Sequence, residues 1–227
     1  MATIRNWRSL FALLGLMLPL ALGGCSVVSE APLFGPGVAP PHPLATGLWA
    51  MSGPGCEVKP NPAGDLPSCA APLTISDRRM DWDVSAFIAR MAGASARGMA
   101  GLPIPKSSDY VLVDGDPQII EMLNGGPALA TVPGGATPPP LKPSYMALRV
   151  LEIDRPGRIV RGIVWPVFCP LGTQDLPAGL ERKGGQCVAN TPEVVRAESK
   201  TLPPFFSFFL TWVSATAPTP PPAAKAP

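Results

Sequence analysis

The sequence predicts a strand-rich α+β domain of antiparallel hairpins with one main helix, long Gly/Pro-rich loops and two disulfides. Three observations lead there. Apolar and polar residues alternate on either side of the turn sequences Asp114-Gly115-Asp116-Pro117 and Asp154-Arg155-Pro156-Gly157-Arg158, which is how hairpins read. Asp81 to Met99 spaces Val84, Phe87, Ile88 and Met91 at helical intervals. Four cysteines lie beyond the N-terminal region, among loops dense in Gly and Pro. The 32 prolines and 23 glycines are about a quarter of the 227 residues, close to low-complexity composition. Yet 46% of the chain is hydrophobic, too much for a wholly disordered protein. A formal charge of +2 does not supply the basic surface that nucleic acid requires.

Taken in chain order, residues 1–24 read as a signal peptide. Arg5 and Arg8 precede the apolar run Leu10 to Leu22, which is shorter than the ~20 residues a spanning helix needs. The run ends in Leu22-Gly23-Gly24-Cys25. This resembles the lipobox of bacterial lipoproteins. The resemblance implies that Cys25 is acylated and becomes the first residue, giving a stable lipid anchor. Ser26 after the cysteine, in place of aspartate, implies the periplasmic face of the outer membrane. Cleavage removes Arg5 and Arg8 and no acidic residue, so the +2 disappears. Residues 25–45, with Pro32, Pro36, Pro40, Pro41 and Pro43, are expected to form an extended tether.

Residues 46–213 are expected to fold as a single periplasmic domain. Gly47 to Met51 reads as a first strand and Leu73 to Ile75 as a second. The helix follows, with Asp81 or Asp83 as its N-cap. Tyr110–Val113 and Gln118–Leu123 form one hairpin. Residues 124–144 form a long surface loop. Tyr145–Ile153 and Ile159–Val167 form the clearest hairpin. If Ile153 faces Ile159, then Leu151 faces Arg161 and Arg149 faces Ile163. Both arginines then share a face with Tyr145 and Trp165, opposite Met146, Leu148, Val150, Val160 and Val164. Glu193 to Ser199 reads as a strand or a helical turn. Phe205 to Val213 is strongly apolar, and residues 214–227 form a disordered Pro/Ala tail.

In an exported chain an even set of cysteines reads as disulfides. Of three connectivities, Cys56–Cys69 and Cys169–Cys187 close the short loops. No C-x₂₋₄-C pair is present for zinc and no C-x-x-C for redox chemistry, so no metal or cofactor is expected. His42 lies among prolines, without the fixed partner a general base needs. Candidate interaction residues are Phe205, Phe206, Phe208, Phe209 and Trp212, since aromatics dominate binding hot spots, with Arg149 and Arg161 as a candidate acidic-ligand face.

The expected function is a non-catalytic structural, assembly or protein-interaction role for an envelope lipoprotein, with the membrane and an envelope protein as partners. An alternative follows from Gly47-Leu48-Trp49, which resembles the Gly-x-Trp opening lipocalin-like and small periplasmic inhibitor barrels, and from Ser108-Asp109-Tyr110, similar to the lipocalins' Thr-Asp-Tyr. That resemblance implies a small-molecule or lipid-binding or inhibitor barrel, the binding form with an apolar pocket lined by Trp49, Tyr145 and Trp165. The helix-like segment between the two motifs departs from that family, which has strands there.

Overall fold

A computed structural model describes residues 26–35, 40–82, 106–124, 142–170, 176–183, 186–201 and 207–215. Its strands are β1 (Val27–Val28), β2 (Gly47–Ser52), β3 (Ala70–Ser76), β4 (Arg79–Trp82), β5 (Ser107–Val113), β6 (Gln118–Met122), β7 (Ser144–Ile153), β8 (Ile159–Pro166), β9 (Leu180–Lys183), β10 (Gln186–Ala189) and β11 (Phe208–Ser214). One helix, α1 (Pro192–Ser199), precedes β11.

The expected α+β fold is corrected to an antiparallel eight-stranded β-barrel. Strands β2 to β8 pair in sequence, and β11 closes the ring between β8 and β2. The expected helix begins inside a barrel strand. Asp81 pairs with Thr74 on one side and Ser107 on the other, and its carboxylate accepts from Arg79 Nε at 3.0 Å. Met80 and Trp82 alternate with it and join the interior cluster. A period of two therefore governs where a capping aspartate was expected. The rest of that helix, from residue 83, lies outside the described residues. The one helix described is α1, where a strand or a single helical turn was expected.

The pleat sends Trp49, Leu73, Met80, Tyr110, Ile120, Met122, Leu148, Val164 and Leu210 into the barrel. An eight-stranded barrel has an interior that side chains can fill or that can hold one small ligand, and here these side chains form one buried cluster. Trp49 is completely buried, and its indole Nε1 donates to Ala45 O at 2.7 Å. Gly162 opposes Val150 and leaves room for Leu148. A Cβ at this glycine would stand 3.0 Å from Arg149 O and 2.5 Å from Leu148 Cδ1.

Alternation along a meander places its connections at alternate ends. At one end lie the strand ends that bound the long connections 53–69, 83–106, 123–143 and 167–207, and the other end carries the short turns 77–78, 114–117 and 154–158. Leu44 and Ala45, both buried, pack into the interior cluster beside Ile159, the first residue of β8 at the short-turn end. There Ile159 N donates to Pro43 O and Ala45 N to Ile159 O.

Two further apolar clusters lie outside the barrel. The first joins Ile119, Tyr145, Ala147 and Trp165 of the wall to Val27, Phe34, Leu180, Val194 and Val195. It is covered by residues 26–35, by β1, β9 and β10, and by α1, whose Ser199 carbonyl accepts from Trp165 Nε1 at 3.1 Å. The second joins Leu48, Ala50, Ala70 and Val213 to Val58 and Leu66 of the 53–69 connection. Each cover is stapled by a disulfide, Cys169–Cys187 with Cα atoms 5.8 Å apart and Cys56–Cys69 with Cα atoms 5.9 Å apart. Residues 26–35, expected within a tether, thus lie on the barrel, with Val27, Val28, Ser29 and Phe34 buried.

Substituting Gly162→Ala should destabilise the protein by about 1–3 kcal/mol through overpacking. Gly53→Ala, with nothing within 4 Å of its Cβ position, should change stability far less. Urea unfolding of both variants compares them directly.

Candidate functional site

The interior offers no site built on the expected trio. Trp49 belongs to the interior cluster, whereas Tyr145 and Trp165 belong to the outer one. They lie on opposite sides of the barrel wall and line no common pocket.

The β7–β8 register agrees with the sequence at Ile153–Ile159 and Arg149–Ile163. An irregularity between Val150 and Ile153 places Glu152, not Leu151, opposite Arg161. Both arginines are exposed. Arg149 lies over the Trp165 ring at 5.7 Å, a cation–π contact. Arg161 points instead toward β11, opposite Thr211. Cys25, Phe205 and Phe206 lie outside the described residues. The remaining aromatics divide between the faces of β11: Phe208 and Trp212 pack on the interior cluster, while Phe209 lies on the outer face. Trp212 Nε1 donates to Thr46 O at 3.0 Å. His42 is held by Gly157, with Nδ1 3.0 Å from its carbonyl oxygen.

Two features were not anticipated from the sequence. The first is a buried carboxylate on the outer wall. Glu121 has no exposed surface. It accepts from Leu33 N at 2.7 Å and from Phe34 N at 3.2 Å, and from the Tyr145 hydroxyl, which also contacts Ser29 Oγ. Burial pushes the Glu121 carboxyl above its ordinary range, opposed by these donors, and burial likewise raises the Tyr145 hydroxyl. The only sequence sign was one acid inside the apolar stretch Ile119-Ile120-Glu121-Met122. The network fixes residues 29–34 to β6 and β7.

The second is a cleft of about 280 Å³ on the outer wall, lined by Ser52, Cys56, Val58, Arg161, Phe209 and Thr211, with Gly55 and Glu57 at the loop side. It forms because Ser52 pairs with Phe209, and Thr211 pairs with both Ala50 and Arg161. Directly opposed residues share a face, so these side chains project together under the stapled loop. Ser52 is 2% exposed and its Oγ has no hydrogen-bond partner among the described residues. Arg161 makes no ion pair among the described residues. Glu57 pairs with Lys59 at 3.2 Å. Nothing in the residues that form the site marked Ser52, because its role depends on the loop folded over it.

Compared with known proteins, the chain matches no family model, no curated protein and no solved structure.

Because the folded-state Glu121 pKa is raised above 4.5, its contribution favours folding below that pH and is lost as pH rises through the folded value. Relative to Glu121→Gln, the natural protein should therefore gain stability as pH falls from 7 toward 4.5. Urea midpoints across that range measure the difference, and a constant difference would contradict the burial argument. Ser52→Ala removes an unsatisfied buried hydroxyl and should be neutral or stabilising by up to about 1 kcal/mol, read by the same titration at pH 7.

Proposed function

We propose that the protein is a lipid-anchored, non-catalytic binding module of the bacterial cell envelope, on the periplasmic face of the outer membrane, that recognises its partner with the outside of its barrel. The single observation that supports this reading is the cluster formed by the inward-facing side chains. Trp49, Ile120, Leu148 and Val164 are completely or almost completely buried within it, which favours recognition by the outer wall. The barrel agrees with the lipocalin-like alternative in its eight strands, and that alternative needs a ligand space between these side chains.

The anchor rests on Leu22-Gly23-Gly24-Cys25, and two disulfides are in keeping with an oxidising compartment. Ser26 bridges Phe168, just beyond β8, at the end that carries the long connections. An acyl group on Cys25 then holds that end against the lipid surface, one residue from the folded domain, instead of at the far end of an extended tether of roughly 60 Å.

Two measurements test the reading. Cys25→Ala should release the protein from envelopes on a carbonate wash, whereas retention would count against the anchor. Crosslinking in intact envelopes should enrich a specific protein over a control carrying only the lipidated N-terminal segment, and equal recovery with the control would remove support for a recognition role.

A further inference from the structure

We propose that the outer-wall cleft between β2, β8, β11 and the Cys56–Cys69 loop binds the carboxylate of a small amphipathic acid. The proposal rests on the reading that recognition lies outside the barrel, and it assigns a ligand chemistry to one part of that surface. Three groups point to an acceptor. The Arg161 guanidinium is exposed and unpaired among the described residues. Ser52 Oγ is buried without a partner among the described residues, a costly arrangement in a native structure unless something supplies an acceptor. The Thr211 side chain lies directly opposite Arg161 on the same face. A carboxylate in the cleft can take a charge-assisted bond from the guanidinium at one oxygen and a bond from the Thr211 hydroxyl at the other, and a rotation of the Ser52 side chain toward the cleft would add a third donor.

The remaining walls set the rest of the ligand. Phe209, Val58 and the Cys56–Cys69 disulfide are apolar, which suits a ring or short alkyl chain attached to the acid. A volume of about 280 Å³ is at the small end of ligand sites. The charge balance selects one negative charge over two. Arg161 is the only cation in the lining among the described residues, the Glu57 carboxylate stands at the rim, and Glu152 lies opposite Arg161 on β7. A dianionic phosphate would meet one positive charge and the two carboxylates of Glu57 and Glu152.

Benzoate is a suitable probe, with benzamide as its neutral isostere and inorganic phosphate as the dianion. The full mature chain, labelled with nitrogen-15, is titrated with each and followed by amide shifts and calorimetry. Benzoate should perturb Ser52, Val58, Arg161 and Thr211 in preference to benzamide and phosphate. Arg161→Gln should weaken benzoate binding at least tenfold, while Arg149→Gln, whose arginine stacks on Trp165 outside the cleft, leaves it unchanged. Both arginines are exposed, so neither variant should disturb folding. Absent benzoate binding, equal effects of benzoate and benzamide, tighter phosphate binding, or unaltered binding by Arg161→Gln would each overturn the assignment. Envelope crosslinking is scored separately, so loss of this site and loss of the wider recognition role give different results.

Discussion

The wall formed by β6, β7 and β8 is apolar on both faces, and the arrangement of the rest of the chain follows from that. Every residue of β6 is buried. Ile120, Met122 and Leu148 fill the barrel, while Ile119, Tyr145, Ala147 and Trp165 face outward. Burying large side chains such as these is worth roughly 1.5–3 kcal/mol each, so the outer face requires a cover. Residues 26–35 and the β9–β10–α1 segment provide it. Glu121 fixes the cover in place by accepting from the backbone of Leu33 and Phe34. Paired in this way, the cost of burying a carboxylate is offset by donors that need an acceptor themselves. At the far edge of the cover, Arg196 Nη1 donates to Asp114 O at 2.8 Å and its guanidinium lies over the Phe34 ring.

Two-sided burial also accounts for the local sequence. A barrel with one wetted face alternates apolar and polar residues. Here Gln118-Ile119-Ile120-Glu121-Met122 is buried at every position, because both faces are enclosed. In the covers, Pro32, Pro60, Pro62 and Pro67 serve the same end. Chain that must lie over a wall, without forming further strands, loses little freedom when its prolines already hold it extended.

The hairpins were legible in the sequence because their signals are local. Asp114-Gly115-Asp116-Pro117 joins β5 to β6, and the β7–β8 register follows from the turn and the alternation, apart from the irregularity before Ile153. Both disulfides join the cysteines that close the short loops. Barrel closure was not legible. β11 lies between β8 and β2, a pairing between the two ends of the domain that no local pattern encodes. β4 was missed because it has four residues, and Asp81 within it and Asp83 just after it have the composition of a helix start. Val27 and Val28 were read as linker because a two-residue strand just ahead of a proline-rich stretch carries no periodicity. For the cleft, Arg161 was identified from its strand face, but Ser52 gains its role only from the loop folded above it.

Residues 26–34 belong to the folded domain as the cover of the barrel wall. Native-state amide hydrogen exchange tests this most directly. Val27 donates to Val167 O, Ser29 to Pro143 O, and Leu33 and Phe34 to Glu121. These amides should exchange only through opening of the fold, with protection approaching that of β6 and β7. Exchange at the rate of an unstructured chain across residues 27–34, with the barrel strands still protected, would contradict the account.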